Sequence, residues 1–194
     1  LKKLFFSNKK EIPFFLPENV TKSSLLEDLR VINTQRIYLK LLLRSSISVE
    51  KIKELISKKT PLLLIAAHYQ PEATSFPEGN NYSSHIDIAL TIRKKNYKSQ
   101  ILYKEHFATF HYIEKIIGLT KVGTSRSKNY INILKDLGCS FLPTDYFLSV
   151  KEDSKWYVPI TITGTIAVER ALAGLHTIYT GIPWYKGMPG TLHI

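Results

Sequence analysis

Residues Thr163-Gly164-Thr165, followed by Ile166-Ala167-Val168-Glu169, have the types and spacing to hold a phosphorylated ligand. Glycine lets the backbone turn tightly and approach a ligand, and a helix starting there aims amide hydrogens and its positive end at an anion. The hydroxyls of Thr163 and Thr165 can add hydrogen bonds. Glu169, about one turn further on, suits a ribose diol, because a carboxylate accepts from two hydroxyls. The competing reading makes Thr165 an ordinary helix cap and Glu169 a solvated helix residue.

Two other clusters carry similar chemistry. In Lys104-Glu105-His106 the lysine and histidine lie two residues apart, so an extended chain turns both to one side, where each can donate to a phosphate or a sugar carboxylate. A histidine with a pKa near neutrality can also protonate a leaving group. In His68-Tyr69-Gln70-Pro71-Glu72 and its extension Thr74-Ser75-Phe76-Pro77-Glu78-Gly79, the prolines Pro71 and Pro77 stiffen a loop that presents polar side chains. Glu72 is the candidate catalytic carboxylate there, and His68 and Gln70 can bond sugar hydroxyls. The bland alternatives are a structural His106 and a solvated loop.

Other chemistries lack their residues. His68, His85, His106, His111, His176 and His193 are scattered, and the single Cys139 offers no paired spacing, so no metal site is expected. G-x-S-x-G, P-loop and G-x-G-x-x-G patterns are missing, which removes the usual support for hydrolase, nucleoside-triphosphatase and dinucleotide-dehydrogenase assignments. No cofactor is expected. Cys139 lies in an apolar stretch and reads as a buried, inert thiol of a reducing compartment.

The elements that must position these residues follow from periodicity. Residues 1–20 are broken by Pro13 and Pro17. From Ser23 the apolar spacing predicts a long helix to about Leu43, and a shorter helix spans Val49 to Ser57. After Pro61, short apolar runs alternate with amphipathic stretches, which implies strands joined by helices and a mainly parallel sheet. Strands are expected at Leu62 to Ala67, Gln100 to Lys104, Cys139 to Leu142, Tyr157 to Ile162 and His176 to Tyr179. Helices are expected at Ser84 to Lys95, Ser127 to Leu137 and Thr165 to Ala173, with a shorter one near Phe110 to Ile117. The expected fold is thus a Rossmann-like α/β sheet with flanking helices over residues 61–194, preceded by a helical lead-in or linker over residues 1–60. In such sheets ligands gather outside the carboxyl ends of the strands, and all of the polar clusters fall there, including Gly181-Ile182-Pro183-Trp184-Tyr185.

Composition narrows the partners. With 27 Lys and Arg against 16 Asp and Glu, the net charge of +11 favours acidic ligands such as sugar nucleotides, anionic glycans or an anionic membrane surface. The basic residues are dispersed, without an arginine-rich stripe, so nucleic acid is not expected. No apolar run reaches the roughly 20 residues of a membrane span. The chain begins at Leu1, and residues 191–194 read like the start of a further segment, so a fragment is expected.

The order of the motifs carries a resemblance. His68-Tyr69-Gln70-Pro71-Glu72-Ala73-Thr74, Tyr103-Lys104-Glu105-His106, Ser125-Arg126-Ser127 with Tyr130, Ile162-Thr163-Gly164-Thr165-Ile166-Ala167-Val168-Glu169-Arg170-Ala171 and Gly181-Ile182-Pro183-Trp184-Tyr185 together resemble the capsule polysaccharide biosynthesis family over about residues 61–190. The resemblance implies the C-terminal half of a GT-B-type glycosyltransferase, in which two Rossmann-like domains face each other and this one holds the nucleotide-activated sugar. Some relatives transfer Kdo from CMP-Kdo. By that similarity Lys104 and His106 would hold the donor phosphate or carboxylate, Thr163, Gly164 and Thr165 the phosphate, and Glu169 the ribose, with Gly181 and Tyr185 at the same site. This chain departs from the family pattern at Ala73 and Thr74, where Kdo-transferring relatives carry further acidic residues, and at Phe107 and Arg170. The implied partners are a nucleotide-sugar donor and a glycan or glycolipid acceptor, at the cytoplasmic face of a bacterial membrane. A sugar-nucleotide epimerase of similar fold and a non-catalytic glycan-binding or assembly module are the alternatives.

Overall fold

Apolar residues at helical spacing draw the first helix onto a sheet. The computed structural model describes residues 25–58, 62–68, 78–82, 84–95, 98–106, 109, 126–146 and 155–194. Helix α1 (Leu25–Ser45) buries Gln35, Tyr38 and Leu42, which share one face at intervals of three and four. Helix α2 (Val49–Ser57) starts at Ser48, whose hydroxyl accepts from the Lys51 amide, and buries Ile52 and Leu55. Its outer face carries Glu54 between Lys51 and Lys58.

The sheet is built from β1 (Leu62–Ala66), β2 (Gln100–Lys104), β3 (Cys139–Phe141), β4 (Tyr157–Thr161), β5 (Thr177–Tyr179) and β6 (Thr191–His193). Every pairing is parallel, and the strands lie in the order β3-β2-β1-β4-β5-β6. Strand β1 reads Leu-Leu-Leu-Ile-Ala because a central parallel strand is covered on both faces and needs no polar alternation. Its register sets Ile65 beside Tyr103 on one side and Ile160 on the other.

Helices α3 (His85–Lys94) and α4 (Lys128–Asp136) connect the strands on one side of the switch point, and α5 (Ile166–Leu172) connects β4 to β5 on the other. Tyr38 and Leu42 of α1, Ile88 and Ile92 of α3, and Ile131 and Leu134 of α4 pack together over Ile65, Tyr103, Phe141 and Ile160. On the opposite face, Ile52 and Leu55 of α2 meet Leu62, Leu64, Leu102, Leu142 and Tyr157. Arg170 of α5 lies over the Tyr157 ring, 4.7 Å from its centroid, so α5 joins α2 on this second face. Strand progression reverses between β1 and β4, and right-handed crossovers then place the two sets of helices on opposite faces.

The expected strands and helices that fall on described residues are present within about two residues of their expected ends, the first helix running on to Ser45. The helix expected near Phe110 to Ile117 lies outside the described residues. Strand β6 and a 3-10 turn at Asn80–Tyr82 were not anticipated. Residues 191–193 extend the sheet beside β5, pairing Thr177 with Thr191 and Tyr179 with His193. Three residues with Leu192 more than half exposed offer no burial pattern from which to infer a strand. Cys139 is buried as expected, and burial pushes its thiol up to about 11. Among the described residues no helix is long and apolar enough to cross a membrane.

Candidate functional site

The strand order turns around between β1 and β4, and it is beyond the carboxyl ends of the strands at such a switch point that open α/β sheets bind ligands. His68, two residues past β1, and the Thr163-Gly164-Thr165 turn past β4 meet there. The Thr163 amide donates to Nε2 of His68 at 3.2 Å, so one hydrogen bond spans the switch point. A methyl group on Gly164 would sit 3.3 Å from that Nε2 and 2.5 Å from the Thr161 hydroxyl, which leaves room only for glycine. The Gly164 amide donates to Thr161 Oγ1 at 3.1 Å, and its carbonyl accepts from the Tyr185 hydroxyl at 2.9 Å.

These bonds change the expected anion site. The amides of Thr163 and Gly164, which the sequence suggested for a phosphate, are committed to His68 and Thr161. Helix α5 is only seven residues long, and Thr165 makes no side-chain cap. Thr165 and Glu169 are exposed instead, free to face solvent or a ligand. Gly181 serves packing, since a Cβ there would lie 2.6 Å from the Glu78 carbonyl oxygen. That carbonyl accepts from the Ile182 amide at 2.8 Å. Tyr185 is buried with its ring edge-on to Tyr179, while the neighbouring Trp184 is exposed.

On the β2 side of the switch point, Lys104 turns away from His68 and the Thr163 turn, toward β3. Its ammonium donates to the carbonyls of Pro143 and Thr144, beyond β3, at 3.2 and 2.6 Å. Burial lowers its pKa. His106 lies near enough to His68 for its charge to disfavour a proton there. The structure thus gathers His68, His106, Thr163, Gly164 and Tyr185 at one edge and leaves Lys104 directed toward β3. Gln70 and Glu72 lie outside the described residues.

Beneath this edge is a buried ion pair that the sequence reading passed over. Arg126 and Glu105 are almost fully buried, with Nε to Oε2 at 3.0 Å. Oε2 also accepts from the hydroxyls of Tyr38 and Tyr103, and Oε1 accepts from the His106 amide and, at 3.3 Å, from Thr109. Arg126 Nη2 donates to the His68 carbonyl at 3.0 Å. Burial alone would raise the Glu105 carboxyl, but the Arg126 charge and these donors hold it below the ordinary range. Tyr38 and Tyr103 are pushed well up, first by burial and then by the Glu105 charge. A signal for Glu105 existed: strand alternation from Ile101 and Tyr103 turns it toward the core, away from Lys104 and His106.

Two histidines complete the floor. The His68 amide donates to His85 Nε2 at 3.0 Å, and His85 Nδ1 lies 3.1 Å from the Tyr130 hydroxyl. Because Nε2 accepts, the neutral His85 ring carries its hydrogen on Nδ1. Burial first, then the charges of His106 and Arg126, lower His68 to about 4. Burial, Arg126 and His68 lower His85 well below its usual value. Both rings are therefore neutral near pH 7. Among the described residues no group of three or more His, Cys, Asp or Glu is placed to hold a metal.

No family model matches this sequence. No curated protein matches it either. Among solved structures, the chain is similar to Thermosulfurimonas dismutans KpsC, a beta Kdo 2,7 transferase, at 16% identity and a TM-score of 0.48, over 81% of this chain and 50% of that one. The chain thus spans about half the length of that structure.

Proposed function

We propose that this chain is the nucleotide-sugar-binding half of a glycosyltransferase that builds a bacterial surface polysaccharide, with CMP-Kdo as the candidate donor. The observation that carries the reading is the His68 to Thr163 hydrogen bond across the switch point, because it brings the polar ends of β1 and β4 together where open α/β sheets bind nucleotides. The motif order of the sequence and its charge of +11 support an anionic, sugar-bearing ligand.

In this proposal glycosyl transfer passes through an oxocarbenium-like state, which a carboxylate near the anomeric carbon stabilises while donors neutralise the departing phosphate. Glu72 takes the first role. His106 takes the second, as donor to the leaving phosphate, with the hydroxyls of Thr163 and Thr165 beside it. Glu169 holds the ribose. The acceptor is a growing glycan or its lipid anchor at the cytoplasmic face of the membrane. Binding is weak and turnover absent until the facing domain completes the cleft.

Calorimetry with CMP, UDP and GDP tests the reading. One nucleotide is expected to bind preferentially, and His106→Ala and Glu169→Ala are each expected to weaken it about tenfold or more, the scale of a lost bond to a charged group. Unchanged affinity in both variants rejects the assigned pocket. Turnover of the sugar nucleotide without acceptor points to an epimerase instead.

A further inference from the structure

His68 has one ring nitrogen whose role the fold leaves open. Its Nε2 accepts the Thr163 amide hydrogen, so the neutral ring must carry its own hydrogen on Nδ1. That Nδ1 is buried and has no hydrogen-bond partner, although the residue is only 7% exposed. A buried donor without an acceptor costs about 1–3 kcal/mol, so proteins rarely retain one unless something else fills the need. The rest of the surroundings is fully engaged: the His68 amide bonds His85, its carbonyl bonds Arg126, and its ring stacks on His85 with centroids 5.9 Å apart. The ring is thus fixed in place and in tautomer.

Its position bears on what the nitrogen meets. Ring atoms Nε2 and Cε1 both lie against Gly164, where a Cβ would stand 3.3 and 3.4 Å from them. Cε1 is the carbon bonded to both nitrogens, so Nδ1 is one bond removed from the ring edge that faces this turn at the carboxyl end of β4. The charges that face the ring, His106 and Arg126, are cationic or able to become so, and both disfavour a proton on His68. A site that resists added positive charge while offering a neutral N–H suits an anionic oxygen.

We propose that the Nδ1 hydrogen of His68 is a preset hydrogen-bond donor to an anionic oxygen of the bound sugar nucleotide, a phosphate or sugar-carboxylate oxygen, and that Nε2 serves only to brace the Thr163 turn. The proposal rests on the nucleotide-sugar reading and deepens it. It assigns His68 to ligand recognition and excludes it from proton transfer, since Nε2 is occupied and the ring stays neutral. That leaves acid chemistry at the leaving group to His106.

Two amide side chains separate the two nitrogens. Asparagine places its NH2 near the position of Nδ1, and glutamine places its amide near that of Nε2. His68→Asn loses the Thr163 brace, so its melting temperature and affinity are expected to fall below wild type, yet it is expected to bind the nucleotide at least about threefold more tightly than His68→Gln; equal or weaker binding than His68→Gln counts against the proposal. His68→Gln is expected to keep the brace and lose affinity roughly 10- to 100-fold, as for a lost bond to a charged acceptor. The readout is calorimetry with whichever of CMP, UDP or GDP binds wild type best, together with thermal melting. Wild-type affinity in His68→Gln overturns this inference and leaves the reading of the pocket standing. A wild-type chain that binds no nucleotide overturns both.

Nitrogen NMR of the unaltered protein, labelled at histidine, keeps the test decisive if either variant fails to fold. His68 is expected to show a protonated Nδ1 whose resonance moves on ligand addition. Movement with CMP alone assigns phosphate as the acceptor, and movement only with a CMP-activated acidic sugar assigns the carboxylate. A hydrogen found on Nε2, or a resonance unmoved by every ligand that binds, overturns the proposal.

Discussion

The two flanks of the switch point are made of different materials. On the β1 and β2 side the loop ends stand on a buried charged network, with Glu105 and Arg126 tied to Tyr38, Tyr103, His68 and His106. On the β4 and β5 side there is no such pair among the described residues. Hydroxyls and glycines hold the loops by close backbone approach, as in Thr161 to Gly164, Tyr185 to Gly164 and Glu78 to Ile182. The first flank gains its geometry from strong directional bonds in a low dielectric, and the second from the absence of side-chain atoms. Errors on the first flank therefore cost electrostatic energy, and errors on the second cost space.

The largest effect is expected from breaking the ion pair on one side only. Glu105→Ala leaves the Arg126 guanidinium buried without its carboxylate, a loss on the order of 3–5 kcal/mol. Denaturant unfolding should show it, and His106 and His68 should lose their fixed positions with it. A change below about 1 kcal/mol would mean that water reaches the pair and that the two flanks do not differ in the way described.

Acid should act on the first flank next. Burial and the neighbouring charges hold folded His68 at about 4, below the ordinary histidine value of 6.5, so the unfolded chain binds more protons between these values. Stability is fully present above pH 6.5 and falls as pH drops toward 4, by about 3 kcal/mol from this ring alone. His85, also lowered, acts with the same sign, and Glu105 adds its loss below about 4.5 as its carboxylate protonates. His106 and Arg126 are the charges facing His68. A pH series of melting temperatures checks this, and a flat profile from pH 7 to 5 would count against a neutral, buried His68.

The smallest effect is expected on the second flank. Gly181→Ala brings a Cβ to 2.6 Å from the Glu78 carbonyl, and the backbone must shift, at roughly 1–3 kcal/mol. The same loop carries Tyr185, whose hydroxyl holds the Gly164 carbonyl, so nucleotide affinity should fall with it, with no change in pH dependence. If Gly181→Ala shifted the acid transition as well, the flanks would be coupled and not independent.

How much of this was legible depends on whether a property is local. The strands at 62–66, 100–104 and 157–161 show in the sequence because a parallel strand covered on both faces is a run of apolar residues. Helix α2 shows in its spacing and in the Ser48 cap. Strand β6 did not show, because an edge strand of three partly exposed residues carries no period. At the site, the grouping of His68, His106 and the Thr163 turn at one sheet edge follows from their common place after strands. Lys104 belonged to the same pattern, yet its ammonium reaches the carbonyls past β3, which no local rule indicates.

The sequence by itself determined the alternation of strands and helices, the parallel sheet and the edge at which polar residues collect, since each depends on periodicity within a few residues. Only the tertiary structure decided which of those residues meet. It placed β1 beside β4, spent the Thr163 and Gly164 amides on protein partners, and turned Glu105 inward to Arg126, 21 residues away. The physical reason is that a hydrogen bond reaches about 3 Å and is set by packing between distant segments. Residue spacing along the chain carries no record of that distance.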